Sequence, residues 1–481
     1  MATKIETGKI IGGLSYNDVL LLPLKSKVAS RKDADTRTYL TRKVKLNIPI
    51  ITANMDSVTE SHMAIAIARL GGIGIIHRFM HIERQKEEVA KAKRAEGYLI
   101  ENPYTIKPES TINEARELVE KNGVSGLIVA GNGGKLLGIL SGRDMKFAAG
   151  NERVRDLMTP RKRLVTGNKG ISIDKAAELL ARHKVEKLPI VDSMDRLVGL
   201  VTAKDAERVL KHDIAAKDGK GRLLVGAAIG IKGDYMERTE ALLEAEADVL
   251  VLDVAHGHSE SVISSAKSIK REFPSVQLVI GNVATPEGTR DLIAAGADAV
   301  KVGIGPGAAC STRLVTGAGV PQLTAVMWCA EAAREEGIPV IADGGIRNPG
   351  DVTKAIVGGA STVMIGSLFA GTDESPGYFI QRKGIKYKAY RGMASLGANI
   401  SRKQLDNMDI NPEDISQIVP EGVESSVPHI GSVKDVVTQL VGGLRSGMSY
   451  CGASNLQELY KNGRFIQLTP LGAAESYEKL Q

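Results

Sequence analysis

Short apolar runs rich in β-branched residues recur along this chain, and each is followed by a stretch whose apolar positions repeat with helical spacing. Eight runs stand out: Ile50–Ala53, Ile73–His77, Leu223–Ile229, Val249–Ala255, Leu278–Val283, Ala299–Ile304, Pro339–Asp343 and Thr362–Ser367. Runs without an alternating polar face read as strands buried on both sides, and their alternation with helices predicts parallel βα units. Eight units predict an α/β fold of the closed (β/α)₈ TIM-barrel type rather than an open sheet. Asp253, Asn282, Gly303, Asp343 and Gly366 fall at or near strand ends, where such barrels keep their chemistry.

Between the second and third runs lies an insertion of more than 100 residues with an internal repeat at a constant offset of 61. Ile112 matches Ile173, Ala115 matches Ala176, Val124 matches Val185, Gly138 matches Gly199 and Asp144 matches Asp205. The stretch Leu136–Asp144 thus repeats as Leu197–Asp205. The tandem resembles a pair of CBS modules, which implies a regulatory purine nucleotide in a cleft between repeats; a bare packing domain is the alternative. Ser141–Asp144 and Thr202–Asp205 fit ribose and phosphate contacts in that reading. The predicted organisation is a first barrel part at 1–96, the tandem insertion at 97–212 and a second barrel part at 213–481. Within the last, the polar segment 391–431 reads as a mobile flap, since loops of that length in compact enzymes are usually lids.

Composition narrows the function classes. The net charge of +7, from 63 basic and 56 acidic residues, is dispersed, and aromatics are 4%, so the balance reads as solubility rather than nucleic-acid binding. Three cysteines in 481 residues make no disulfide framework and point to a reducing compartment. The apolar stretches are strand-sized and residues 1–13 hold no apolar signal core, so a cytoplasmic protein without a membrane segment is expected.

The sixth run opens into Gly303-Ile-Gly-Pro-Gly-Ala-Ala-Cys-Ser-Thr-Arg313. Glycines let this backbone approach a ligand and let the loop move. A cysteine here, near the start of the next helix, would have its thiolate favoured by backbone N–H groups and by Arg313. Free cysteines are often merely small buried residues. That reading suits Cys329 and Cys451, which lack such a loop, whereas Cys310 reads as a nucleophile.

This loop, with Ala342-Asp-Gly-Gly-Ile-Arg347 and Tyr390-Arg-Gly-Met393, resembles the IMP dehydrogenase/GMP reductase family over nearly the whole chain. Met55-Asp56, Asp253-Val-Ala-His-Gly-His258 and Pro420-Glu-Gly-Val-Glu424 carry the same resemblance. It implies that Cys310 adds to C2 of a purine mononucleotide and that a nicotinamide cofactor exchanges hydride with that carbon. It further implies proton transfer by Thr312 and Glu421, ribose binding by Asp343, and a 5′-phosphate held by Gly345, Gly366, Ser367 and Tyr390. Met393 and Gly422 would meet the base edge, and Asp253, Asn282 and Gly303 the cofactor. Carbonyls of Gly305, Gly307 and Cys310, with Glu475, would bind a monovalent cation such as K⁺. Ala308 departs from the serine of many relatives, which puts more of the phosphate site on backbone donors. The resemblance implies a homotetramer, and CBS pairs often drive octamers.

The two activities of the family share the cysteine adduct. A dehydrogenase oxidises IMP with NAD⁺ and hydrolyses the adduct, for which the flap supplies an adjacent Arg-Tyr pair. A reductase expels ammonia from GMP and reduces the adduct with NADPH. Here no tyrosine occurs from Gly392 to His429, so the water-activating pair is missing. Val28–Arg31, Ala53–Asp56, Met393–Ser395 and Asn348–Gly350 also resemble reductases, and Gly397–Ser401 resembles the kinetoplastid type. Pro420–Glu424, Gly442–Ser446 and the insertion are commoner in dehydrogenases. The expected activity is an NADPH-dependent GMP reductase, with NAD-dependent IMP dehydrogenase as the alternative. A chain that had lost catalysis and only bound nucleotide would not need Cys310, Thr312 and Glu421.

Overall fold

The computed structural model describes residues 10–210, 214–405 and 418–477. The chain divides into two compact units, one comprising Met1–Ala95, Ile214–Ala216 and Leu223–Gln481, the other Glu96–Asp213 and Lys217–Arg222.

The larger unit is a closed barrel of eight parallel strands. They are β1 (Ile50–Thr52), β2 (Ile73–Ile76), β3 (Val225–Ile229), β4 (Val249–Asp253), β5 (Leu278–Val283), β6 (Ala299–Val302), β7 (Val340–Asp343) and β8 (Thr362–Ile365). Every run predicted from the apolar pattern supplies one strand. Differences fall at the ends, where polar or glycine residues leave the ladder: Ser367, read as a strand end, begins the helix Ser367–Ala370.

Alternation along the strands sorts side chains between two cores. Ile51, Ile73, Ile75, Val249, Val251, Val279, Ala299, Ile341 and Met364 pack together inside the barrel. Their sequence neighbours Ile50, Leu250, Leu252, Ile280, Val300, Val302 and Val363 face the surrounding helices. Those helices start where the sequence supplies caps. Thr285 accepts from the Gly288 amide ahead of Pro286–Ala294, and Asn348 and Asp351 form a capping box ahead of Pro349–Val357, each with proline at the first turn.

The smaller unit contains two copies of one motif. A short strand precedes the helix Ile112–Asn122 and the hairpin strands Gly126–Ala130 and Leu136–Ser141. The second copy has the helix Ile173–His183 and the strands Lys187–Val191 and Leu197–Thr202, the same bounds displaced by the repeat offset. In both copies the hydroxyl at the strand end bonds the aspartate three residues on: Ser141 Oγ donates to Asp144 at 2.8 Å, and Thr202 Oγ1 to Asp205 at 2.6 Å. These pairs close the first turn of the following helix.

The segment read as a polar flap holds regular structure. The strands Phe379–Arg382, Ile385–Arg391 and Glu424–Pro428 form an antiparallel sheet, and Leu396–Leu405 is helical. Cross-strand pairing of Tyr390 with Ser425 and of Arg391 with Glu424 joins its two ends. Residues 406–417 lie outside the described residues. Among the described residues no helix is long and apolar enough to cross a membrane.

Candidate active site

The apolar interior of the barrel ends, at the C-terminal edge of the strands, in a charged layer. Asp253, Lys301 and Asp343 continue the inward-facing series begun by Val251, Ala299 and Ile341. Lys301 is buried, and its ammonium reaches Asp253 Oδ1 at 2.8 Å and Asp343 Oδ2 at 2.5 Å, as well as Asn282 Oδ1. Asn282 Nδ2 donates to Asp343 Oδ2 at 2.9 Å and to the Gly303 carbonyl at 2.7 Å, while Asn54 Nδ2 donates to Asp253 Oδ2 at 2.7 Å. Burial alone would disfavour every charge here. The two carboxylates nevertheless hold Lys301 well above the ordinary lysine range, and Lys301 with Asn54 holds Asp253 below the usual carboxylate range. A carboxylate has about four acceptor positions, so both aspartates keep capacity for ligand hydroxyls.

Above this layer lies a cavity of about 300 Å³ lined by Asp253, Asn282, Gly303, Cys310, Thr312, Asp343, Met393, Glu421 and Gly422. Cys310 is exposed to it, one residue ahead of Ser311, which precedes the helix Thr312–Thr316. Its thiol donates to Thr312 Oγ1 at 3.2 Å, and Thr312 Oγ1 donates to Glu421 Oε2 at 2.8 Å. The backbone fixes the geometry: Ser311 N–H donates to the Glu421 carbonyl at 2.9 Å, Val423 N–H to the Ala309 carbonyl at 3.0 Å, and Cys310 pairs with Gly422. Sulfur, hydroxyl and carboxylate thus form one hydrogen-bonded chain beside a ligand-sized space.

A second, smaller cavity of about 80 Å³ adjoins Asp343 and Tyr390 and is lined by Gly345, Gly366, Ser367 and Ala308. Tyr390 is buried on the strand Ile385–Arg391, and burial, aided by Asp343, pushes its phenol up to about 12. It is therefore a neutral donor at physiological pH.

Some expectations need revision. Arg313 is not the partner of the thiol: its guanidinium donates to the Val320 carbonyl at 2.6 Å and packs beneath Gly305. The group that Cys310 meets is Thr312. Of the cation-binding set, Gly305, Gly307 and Cys310 share one turn, in which the Gly307 carbonyl accepts the Cys310 amide at 3.0 Å and keeps a free lone pair. Glu475 is exposed on the helix Pro470–Tyr477. Cys329 and Cys451 are buried and unpaired; burial pushes Cys329 up to about 12 and raises Cys451 as well.

The sequence reading passed over Lys301, Asn54 and Arg78, all of which line the main cavity. The signal for Lys301 was present, as a lone charge in Ala299-Val-Lys-Val302 at an inward position of an otherwise apolar strand. Gly281, its neighbour in register on β5, leaves the space it needs: a Cβ there would lie 2.6 Å from Lys301 Cβ.

The fold and site define the class as a TIM barrel with an exposed cysteine at its mouth, hydrogen-bonded through Thr312 to Glu421. Residues 13–478 match the family model described as the IMP dehydrogenase / GMP reductase domain. The chain belongs to this family and is an oxidoreductase of it, nicotinamide-dependent as the family is. It is 51% identical over 465 residues to the inosine-5′-monophosphate dehydrogenase of Nitrosopumilus maritimus, covering 96% of this chain and 97% of that one. Its fold is similar to that of a GMP reductase variant from Trypanosoma brucei in complex with guanosine 5′-monophosphate, with TM-score 0.83, 46% identity and 98% of each chain covered. The same reductase in complex with guanosine 5′-triphosphate matches with TM-score 0.73 and 43% identity over 96% of this chain and 99% of that one.

Proposed function

We propose that the protein is a GMP reductase that converts GMP and NADPH to IMP, ammonia and NADP⁺ through a covalent adduct at Cys310. The nucleotide would lie across the main cavity with its ribose hydroxyls donating to Asp343. Its 5′-phosphate would occupy the smaller cavity among Gly345, Gly366, Ser367 and Tyr390, where N–H groups and a neutral phenol suit an anion. Met393 and Gly422 would border the base. In the first half-reaction the Cys310 sulfur bonds to C2 and the C2–N bond breaks. Thr312, backed by Glu421, takes the thiol proton and passes a proton to the departing amine, which leaves as ammonia. When bound beside Asp253, Asn282 and Gly303, the nicotinamide supplies the hydride for C2. Cys310 then leaves as thiolate.

The observation that carries the choice of reductase is the absence of tyrosine between Gly392 and His429. Without an Arg-Tyr pair nothing in that segment matches the family's means of activating water. The second reading, NAD-dependent IMP dehydrogenase, is favoured by the name of the relative at 51% identity. The carbonyls of Gly305, Gly307 and Cys310 are a donor set suited to K⁺. The repeat unit fits a tandem CBS domain responding to a purine nucleotide, and the likeness to a GTP-bound reductase supports that class of effector. A cytoplasmic homotetramer, or an octamer built through the repeat unit, completes the proposal.

One assay separates the readings. Purified protein is offered GMP with NADPH and, separately, IMP with NAD⁺, while absorbance of the reduced cofactor is followed. Loss of NADPH with stoichiometric ammonia supports the reductase, and NAD⁺ reduction with IMP overturns it.

A further inference from the structure

The buried Lys301 sits between the two carboxylates to which the proposed function gives different ligands. Asp343 faces the nucleotide ribose and Asp253 the cofactor, yet one ammonium contacts both, at 2.5 Å and 2.8 Å. Its third partner, Asn282, itself donates to Asp343, so the lysine braces that carboxylate twice, once directly and once through the amide. The aspartates lie on β4 and β7 and Lys301 on β6, so the brace spans strands that do not all neighbour one another. A charge of this kind has no stability rationale, since an inward barrel position is normally filled by an aliphatic side chain, as at Ala299 and Ile341.

We infer that Lys301 is a positioning residue shared by the nucleotide and cofactor subsites, which holds the Asp253 and Asp343 carboxylates in one fixed arrangement through a single ammonium and so links the affinities for both ligands. This rests on the proposed binding of a purine nucleotide at Asp343 and a nicotinamide dinucleotide at Asp253. Without a countercharge, two carboxylates brought close in a buried site repel, which disfavours the doubly ionised pair. Among the described residues of the same cavity, Arg78, beyond β2, acts on Asp253, Tyr390 on the flap strand acts with Asp343, and Arg402, Cys310 and Glu421 complete the ionisable lining. Arg78 favours the ionised form of Asp253 but has no comparable partner role at Asp343, so it does not replace the lysine.

The test uses the full-length protein, with GMP and NADPH titrated separately by calorimetry between pH 6 and pH 8.5. Lys301→Met removes the charge at similar volume, and Lys301→Arg keeps it. Lys301→Met should weaken both ligands by about tenfold or more. It should also introduce a pH dependence of both affinities in that range that the wild type lacks, and Lys301→Arg should restore part of the binding with a flat profile. Weakening of only one ligand, or a loss in both that is independent of pH and not relieved by arginine, would overturn the inference. If Lys301→Met fails to fold by circular dichroism, the arginine variant together with Asn282→Asp reads the same coupling. Asn282→Asp adds a third carboxylate around the ammonium and should weaken both ligands together; weakening of one alone would again overturn the inference. Failure of the wild type to bind GMP or NADPH at all would sink the functional reading instead.

Discussion

Thr312 Oγ1 donates to Glu421 Oε2 at 2.8 Å across 109 residues of sequence, and the same hydroxyl accepts from Cys310. The threonine thus joins a thiol on one loop and a carboxylate on another into one hydrogen-bonded chain, the relay of the proposed reaction. Glu421→Gln keeps the shape and removes the terminal base. Its kcat should fall by roughly 10²–10⁴-fold with little change in nucleotide affinity. The check is a pH–rate profile measured beside a binding titration; a rate close to wild type across pH would sink the relay.

Cys310→Ala should abolish turnover while GMP binding remains measurable by calorimetry, since in the proposed reaction the sulfur supplies the adduct and not the cradle. Cys310 is also the exposed one of three cysteines without a disulfide, and burial both shields Cys329 and Cys451 and raises their thiols. Brief alkylation of the native protein at neutral pH should therefore label one site per chain, found by peptide mass mapping at Cys310, and bound GMP should slow it. Labelling of Cys329 at a similar rate would contradict this account.

The barrel was legible because buried parallel strands carry continuous apolar runs, and all eight appear where that pattern puts them. The repeat was legible because its two copies share an offset that the strands and helices preserve. The Cys310 loop could be found for its glycines, but its partner could not. Arg313 is adjacent in sequence to Thr312 and carries a charge, yet its long side chain folds back to Val320, and a hydroxyl two residues from the sulfur makes the contact. Lys301 is less legible, because a lone lysine in an apolar run shows its inward position only once the alternation of the strand is fixed. The flap strands are not legible in its polar composition, because they are stabilised by pairing with one another, a contact without local periodicity.

Gly303 directly follows β6 with φ +151°, and a Cβ built there would lie 2.2 Å from the Asp343 carbonyl oxygen. Gln322 holds the same place from the other side, donating from Nε2 to the carbonyls of Val302 and Asp343 at 2.9 Å and 3.0 Å. Gly303→Ala must displace β7 at the residue proposed to take the nucleotide ribose. The expected cost is about 1–3 kcal/mol of stability, with a rise in the KM for nucleotide larger than the change in kcat. Chemical unfolding and steady-state kinetics read the two effects; an alanine variant with wild-type values in both would show that the strand end is not tightly packed.

Glu88 offers a test of pH dependence away from the site. Its Oε2 accepts the Ser61 amide at 2.8 Å at the start of the helix Ser61–Arg69, and its Oε1 accepts Lys91 Nζ at 2.8 Å. Burial opposes the charge, but these donors outweigh it and hold the carboxyl below its usual range. A carboxyl depressed in the folded state contributes its stability in full above the unfolded value, about 4.3, and loses it as pH falls through the folded one. Glu88→Gln should therefore cost about 1–2 kcal/mol at pH 7, and the gap between variant and wild type should narrow below roughly pH 4. Urea unfolding at pH 7 and pH 3.5 reads the difference, and an equal deficit at both would mean that the carboxylate acts through packing and not through its charge.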